Sequence, residues 1–185
     1  MRIITGNFKG RNLFMVPGAT TRPTSAFNRE MIFSVHQDYQ GARVLDLFAG
    51  TGSLGLEALS RGAAWVDFVE FSSNAISVLL KNIKLLGCAD QCHVFRKRAE
   101  VFLTDPRERY DIIFLDPPYD KSLLNPILKT IFAHDLLLIG GIVIAEHSPK
   151  EPVAEELSSF VYKDKCTKTS SFSFLSRAEN ESTAR

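Results

Sequence analysis

From Val44 to Ala145 the chain alternates short apolar runs with helical stretches, and this alternation leaves few architectures open. Val44–Phe48, Trp65–Val69, His93–Phe95, Tyr110–Leu115 and Leu137–Ala145 read as strands. Leu54–Arg61 closed by Gly62, Asn74–Leu86 closed by Gly87, the turn Ala99–Leu103 and Leu123–His134 read as helices. Short buried strands separated by helices make a mostly parallel sheet covered on both faces. A weaker helix at Val153–Ser159 and strands near Phe160–Cys166 and Ser171–Leu175 complete the pattern. The predicted fold class is therefore α/β. In such sheets ligands bind beyond the carboxyl ends of the strands, so chemistry is to be sought there.

The 185 residues, 45% of them apolar, fit a single soluble domain that needs no disulfide or metal to fold. It divides into a basic N-terminal arm (1–40), a catalytic core (41–176) and a frayed tail (177–185). No apolar run reaches the roughly 18 residues of a membrane span; Asp135–Ala145 is interrupted by Gly140 and Gly141. Met1 to Gly6 lack the apolar core of a secretory signal, so a cytoplasmic location is expected. Cys88, Cys92 and Cys166 have neither the number nor the spacing of a disulfide framework or a zinc site. They read as structural thiols.

Net charge is +1, yet residues 1–36 hold Arg2, Lys9, Arg11, Arg22 and Arg29 against Glu30 alone. Arg96, Lys97 and Arg98 form a second basic run. A basic arm on a near-neutral domain suits a polyanionic partner. Residues 1–16, with Gly6 and Gly10, read as a small hairpin carrying Lys9 and Arg11 at or near its tip. A loop over 17–23 leads into a helix capped at Thr24, with Phe27, Met31, Ile32 and Val35 on its apolar face and Arg29 facing elsewhere.

Asp46-Leu47-Phe48-Ala49-Gly50-Thr51-Gly52-Ser53-Leu54-Gly55 joins the first strand to the first helix. Its glycines allow a tight turn lying against a ligand, and they fit a dinucleotide as well as any nucleoside. The carboxylates decide between the two. Asp46, Glu70 and Asp116 each end a strand, and a pyrophosphate beside them would be repelled. A cationic nucleoside such as S-adenosylmethionine suits this acidic rim, with Glu70 accepting from ribose hydroxyls and Phe71 packing on adenine. Asp116-Pro117-Pro118-Tyr119 makes a slot for a flat ring bearing an amine. Asp116 and a proline carbonyl accept the two amine hydrogens, and Tyr119 stacks on the ring.

These two motifs resemble those of class I S-adenosylmethionine-dependent methyltransferases that act on amino groups. The whole chain is similar to a narrower family, the bacterial 16S rRNA guanine-N2 methyltransferases. The matching residues are Arg2-Ile3-Ile4 with Gly6, Lys9-Gly10-Arg11, Arg22-Pro23-Thr24, Arg29-Glu30, Asp46 to Gly52, Leu54 to Ala63, Asp116 to Tyr119 and Glu146-His147. The resemblance implies a three-layer Rossmann-like sheet, mostly parallel with an antiparallel C-terminal strand, behind a small hairpin and helix arm. It also implies that Asp116, Pro117, Pro118 and Tyr119 hold a guanine. The cofactor would lie on Asp46, Phe48, Ala49, Gly50, Thr51, Gly52, Glu70, Phe71, Arg98 and Ala99. Arg22, Thr24 and Arg29 would help grip 16S rRNA in the small ribosomal subunit or close over the cofactor, with Lys9 and Arg11 of the basic arm as further RNA contacts; a monomer is the default expectation, and no metal is required. Departures fall at Ala26 and Phe27, where the family has Asp and Arg, and at Arg98, where it has an acid or amide. The C-terminal strand also lacks the family's usual Tyr-Gly pattern. Rival readings are a DNA adenine-N6 methyltransferase, which uses the same slot, a dinucleotide oxidoreductase and a non-catalytic RNA-binding subunit. His147 reads as a surface histidine and Trp65 as packing.

Overall fold

A computed structural model describes residues 1–16, 26–105, 108–119, 121–167 and 169–177. Seven strands form one sheet in the order β3-β2-β1-β4-β5-β7-β6. They are β1 (Arg43–Leu47), β2 (Trp65–Glu70), β3 (Cys92–Arg96), β4 (Tyr110–Leu115), β5 (Leu137–His147), β6 (Val161–Cys166) and β7 (Ser171–Ser176). The first five run parallel, and β7 runs antiparallel to both β5 and β6. The order reverses between β1 and β4, and this is the switch point at which the fold opens a crevice.

Helices α1 (Ala26–Val35), α2 (Ser53–Ser60) and α3 (Ser73–Leu86) cover one face, where Ile32, Phe33, Leu56, Leu59, Leu79 and Ile83 pack on Val44, Phe68, Phe114 and Ile144. Helices α4 (Ala99–Phe102) and α5 (Leu124–Ala133) cover the other, with Ile127, Leu128 and Ile131 on Leu45, Ile113 and Val143. The two faces divide by strict alternation along each central strand, because successive side chains point to opposite sides. α3 shows how closely sequence dictates element: Ser72 caps its start, Gly87 closes it with a φ of 70°, and its buried side chains recur at helical spacing. One of those buried positions is held by a polar residue, Asn82.

α2 is buried over its whole length after Ser53. Its outer side faces the arm rather than solvent. The Glu57 carboxylate accepts from the N–H groups of Ile4 (2.8 Å) and Thr5 (3.1 Å) and from Arg61 Nε (2.9 Å). Ser60 Oγ accepts from Phe8 N–H and donates to the Thr5 carbonyl, while the Ser60 carbonyl accepts from Asn7 N–H. Asn82 accepts from Phe14 N–H and donates to the carbonyls of Phe14 and Thr51. Thus three buried side chains of the core staple the arm. Gly6 sits so close that a Cβ would fall 1.7 Å from the Ser60 carbonyl oxygen, and its φ is 86°. No other residue fits there.

Several expectations are corrected. The hairpin is present but short: the antiparallel bridge of Arg2 with Asn12 is flanked by the backbone bonds Ile3 N–H to Arg11 C=O and Leu13 N–H to Met1 C=O, and the residues between coil through turns that meet α2. Lys9 lies in those turns and is exposed, as is Arg11. On α1 Ile32 is buried and Met31 and Val35 pack on the core as expected, but Phe27 and Arg29 exchange places. Phe27 is 67% exposed, whereas Asn28 and Arg29 are buried. Arg29 is 1% exposed and donates from Nη2 to the Arg2 carbonyl, so it holds the arm instead of facing outward. Thr24 and Arg22 lie outside the described residues. The segment expected as a helix near Val153–Ser159 is a 3-10 turn, Glu155–Phe160, with Leu157 as its buried anchor. His147 is buried, not at the surface, because β7 pairs alongside β5 and Ser173 bonds its Nε2. Of the expected tail, Arg177 is described and pairs with Asp135. Among the described residues no helix is long and apolar enough to cross a membrane.

Truncating Glu57 removes the acceptor for two arm amides and Arg61 at once. Buried donors left without partners cost about 1–3 kcal/mol each. We expect Glu57→Ala to lower the unfolding free energy by about 3 kcal/mol or more in urea titrations. The amides of Ile4 and Thr5 should lose hydrogen-exchange protection in step. A loss under about 1 kcal/mol would show that the arm is held by other contacts.

Candidate active site

The carboxyl ends of β1, β2, β4 and β5 meet at the switch point. After β1 the chain turns through Phe48, Ala49, Gly50, Thr51 and Gly52. Phe48 has a φ of 62° and Gly50 and Gly52 have φ of 56° and 83°, so the loop is left-handed at three positions. For Phe48, without a glycine's freedom, that conformation is strained, and such strain concentrates at binding loops. A Cβ on Gly50 would meet nothing closer than 4.0 Å, which leaves the backbone open to a ligand.

Glu70, at the end of β2, orders this loop. One carboxylate oxygen accepts from Gly50 N–H at 2.8 Å, and the other accepts from the N–H groups of Phe71 and Ser72, each at 2.7 Å. A carboxylate offers about four acceptor positions, so three backbone donors fix its orientation and leave it capacity for a further donor. Phe71 is exposed, and the Arg98 guanidinium lies over its ring at 4.7 Å. Phe48, Glu70, Phe71, Arg98 and Pro118 line a cavity of about 260 Å³, together with Val69, Lys97, Glu100 and Leu123. That is just under the roughly 300 Å³ at the lower end of small-molecule pockets, a size for part of a nucleoside.

Asp46 does not join this rim. It is buried, and its Oδ2 accepts from Gly55 N–H at 2.9 Å, tying the end of β1 to α2. Burial, and secondarily the nearby Glu70 charge, push its carboxyl up to about 7, against the lowering effect of the Gly55 bond. Ala49 and Ala99 are also buried, and serve as walls beneath the loop and α4.

Asp116-Pro117-Pro118-Tyr119 follows β4 directly. Asp116 is half-buried, Pro117 buried, Pro118 exposed, and Tyr119 38% exposed. Pro118 belongs both to this slot and to the wall of the cavity. The Tyr119 hydroxyl is held at its far end: it donates to Glu146 Oε1 at 3.0 Å and meets Ser170 Oγ at 2.8 Å. Burial first, then the Glu146 and Asp116 charges, keep the phenol protonated well above its ordinary range. Glu146 Oε1 also accepts from Asn28 Nδ2 of α1 at 3.2 Å. Its second oxygen is buried with no partner among the described residues.

The structure therefore gathers Phe48, Gly50, Glu70, Phe71, Arg98, Pro118 and Tyr119 at one rim. It places Lys9, Arg11 and Arg29 away from that rim, on the arm. Lys9 and Arg29 line a larger cavity of about 660 Å³ with Arg2, Met15 and Glu30. Asn28 and Ser170 were not singled out from the sequence, and Glu146 entered only as part of the family pattern. The signal for Asn28 was an amide on an otherwise apolar helix face. No group of residues suited to hold a metal ion occurs among the described residues.

A family model described as "Conserved hypothetical protein 95" matches residues 1–176. The putative rRNA methyltransferase YlbH of Bacillus subtilis is 39% identical over 171 residues, covering 90% of this chain and 93% of its own. The ribosomal RNA small subunit methyltransferase D of Haemophilus influenzae is 32% identical over 171 residues, covering 90% and 89%. The solved structure of a putative methyltransferase, yhhF, from Escherichia coli matches with a TM-score of 0.85 and 29% identity, over 97% of this chain and 99% of that one. The fold is the class I methyltransferase fold that the resemblance implied, on the mostly parallel sheet expected from the strand pattern.

The raised carboxyl of Asp46 has a signed consequence for stability. Its folded pKa of about 7 exceeds the ordinary 3.8, so within that window the folded state holds a proton the unfolded chain releases. Stability from this group therefore falls as pH rises from about 4 to about 7. Asp46→Asn removes the titration. Denaturation at a series of pH values should show the variant gaining on the wild type across that window. A difference independent of pH would show that Asp46 titrates at its ordinary value.

Proposed function

The chain belongs to the family described as conserved hypothetical protein 95, and from that premise we propose that it is an S-adenosylmethionine-dependent rRNA methyltransferase. In the finer reading it methylates the exocyclic N2 of a guanine in 16S rRNA, within small ribosomal subunit particles. The observation that carries this reading is the shared Pro118. The Asp116 to Tyr119 run meets, at Pro118, a cavity sized for part of a nucleoside, the adjacency that a methyl transfer between base and cofactor requires.

The residues around the cavity fit the cofactor. Glu70 is oriented by three backbone donors and can accept from ribose hydroxyls. The Phe71 ring, backed by Arg98, offers adenine a flat partner. Gly50 leaves the backbone clear. When bound, S-adenosylmethionine supplies an electrophilic methyl on its sulfonium. Asp116 and the Pro117 carbonyl accept the two hydrogens of the base amine and hold its lone pair toward that methyl. Tyr119 stacks on the base and fixes its plane. The contribution of the chain is thus positioning and electrostatic pull. Asp116 is also placed to receive the proton the amine sheds.

Exposed Lys9 and Arg11 supply the electrostatic grip on RNA. Between Tyr119 and β5 the chain holds little besides α5, which leaves no separate element for reading duplex DNA.

Labelled S-adenosylmethionine, offered with small subunits from a strain lacking this enzyme, naked rRNA and duplex DNA, tests the reading. Label recovered as N2-methylguanine in 16S rRNA is expected. Label in DNA as N6-methyladenine would replace the reading with that of a DNA enzyme. Asp116→Ala should abolish transfer while cofactor affinity stays within a few-fold. Undiminished turnover would remove Asp116 from the mechanism. Replacing Lys9 and Arg11 together with Ala should make the salt dependence of RNA binding shallower by about 1 to 2 in log–log slope. An unchanged slope would place the grip elsewhere.

A further inference from the structure

β5 lies beside β4, with Ala145 paired to Leu115, so Glu146 and Asp116 follow at the ends of neighbouring strands. Glu146 is 6% exposed and does not line the cavity. Its Oε1 receives two donors from different parts of the chain: the Tyr119 hydroxyl and the Asn28 amide. Ser170, buried beside β7, closes on the same hydroxyl from the other side. The far end of the Tyr119 side chain is therefore fixed between two buried groups, while more than a third of the residue stays exposed.

A stacking ring needs a fixed plane. A tyrosine ring held only at Cβ swings, whereas one held also at its hydroxyl has both ends of its long axis pinned, and the coplanar phenol O–H aimed at Glu146 disfavours turning about that axis.

We propose that Glu146 is a positioning residue for the methyl transfer: with Ser170 it clamps the Tyr119 hydroxyl, and by sharing Oε1 with Asn28 it makes the plane of the ring depend on the seating of α1. The inference rests on the reading that Tyr119 stacks on the target base. Its consequence is that the arm acts on the slot through one carboxylate oxygen. Contact of the arm with RNA and orientation of the base become a single event.

A double-mutant cycle tests this with single-turnover kinetics on small subunits. Tyr119→Phe keeps the ring and deletes the clamped hydroxyl. Loss of a hydrogen bond to a charged acceptor should lower the rate of transfer roughly tenfold to a hundredfold. KM for RNA and the affinity for S-adenosylmethionine should hold within about twofold, because neither depends on that hydroxyl. Glu146→Ala should lower the rate to a similar extent, and the double variant should be no slower than the slower single variant within about twofold. Glu146→Gln, which retains an acceptor oxygen, should recover most of the rate lost in Glu146→Ala. Multiplying losses in the double variant, or full activity of Tyr119→Phe, would overturn the proposal. So would Glu146→Gln as slow as Glu146→Ala while its melting temperature matches wild type. Where Glu146→Ala fails to fold, the cycle is run with Asn28→Ala, whose loss should likewise not multiply with that of Tyr119→Phe. Absence of transfer by the wild-type protein to any RNA would instead overturn the functional reading, and the clamp with it.

Discussion

A helix buried along nearly its whole length must find partners for every polar group it carries, and in this protein the partners are the backbone of the N-terminal arm. α2 places Glu57 and Ser60 on its outer side, where an ordinary surface helix would meet water. Each becomes an acceptor for the amides of Ile4, Thr5 and Phe8. Arg61 then joins Glu57 to α1 by lying over the Phe33 ring at 4.4 Å. α2 begins at Gly52, in the loop that shapes the cavity, so the helix wedged between sheet and arm also sets the position of that loop. Asn82 repeats the connection one helix away, with one amide joined to Phe14 of the arm and to Thr51 of the loop.

The rim that results brings charges close together and keeps each one occupied. Glu70 is oriented by three local amides and keeps capacity for one more donor, so it presents a fixed acceptor rather than a swinging one. Fixed dipoles and charges need no rearrangement at the moment of reaction, which is the principal advantage a folded site has over water. Asp46 is removed from the rim by burial and fastens α2 to β1. Asp116 and Glu146 lie at neighbouring strand ends, and Glu146 accepts from the tyrosine that follows the two prolines.

The strands and helices of the core were legible because their apolar periods are strong and their ends are marked. Tyr110–Leu115 runs from a charged turn to a pair of prolines, and the structure matches it residue for residue. The glycine turn and the Asp116–Tyr119 run pointed to the site for the same reason: few backbones accommodate them. The arm resisted such reading. Its order comes from contacts with residues 53 and 68 positions away, which no local pattern records. Phe27 and Arg29 exchanged expected places because burial on α1 is decided by what lies opposite, the Arg2 carbonyl and the Glu146 carboxylate, and not by hydrophobicity. Glu57, Asn82 and Asn28 share one retrospective mark, a polar residue where the helical period calls for an apolar one.

The staples of the arm also order events in time. A ribosome releases a chain from its amino terminus, so residues 1–16 emerge before their acceptors at Glu57, Ser60 and Asn82, which are made tens of residues later. Contacts this distant along the chain close late, after the local helices and the strands they pack on. The basic segment therefore leaves the tunnel without the partners that shape it, and becomes a structured surface only when the core behind it is complete. A nascent copy offers charge without shape, and the finished molecule offers both, so the arm's conformation reports that the rest of the chain has folded.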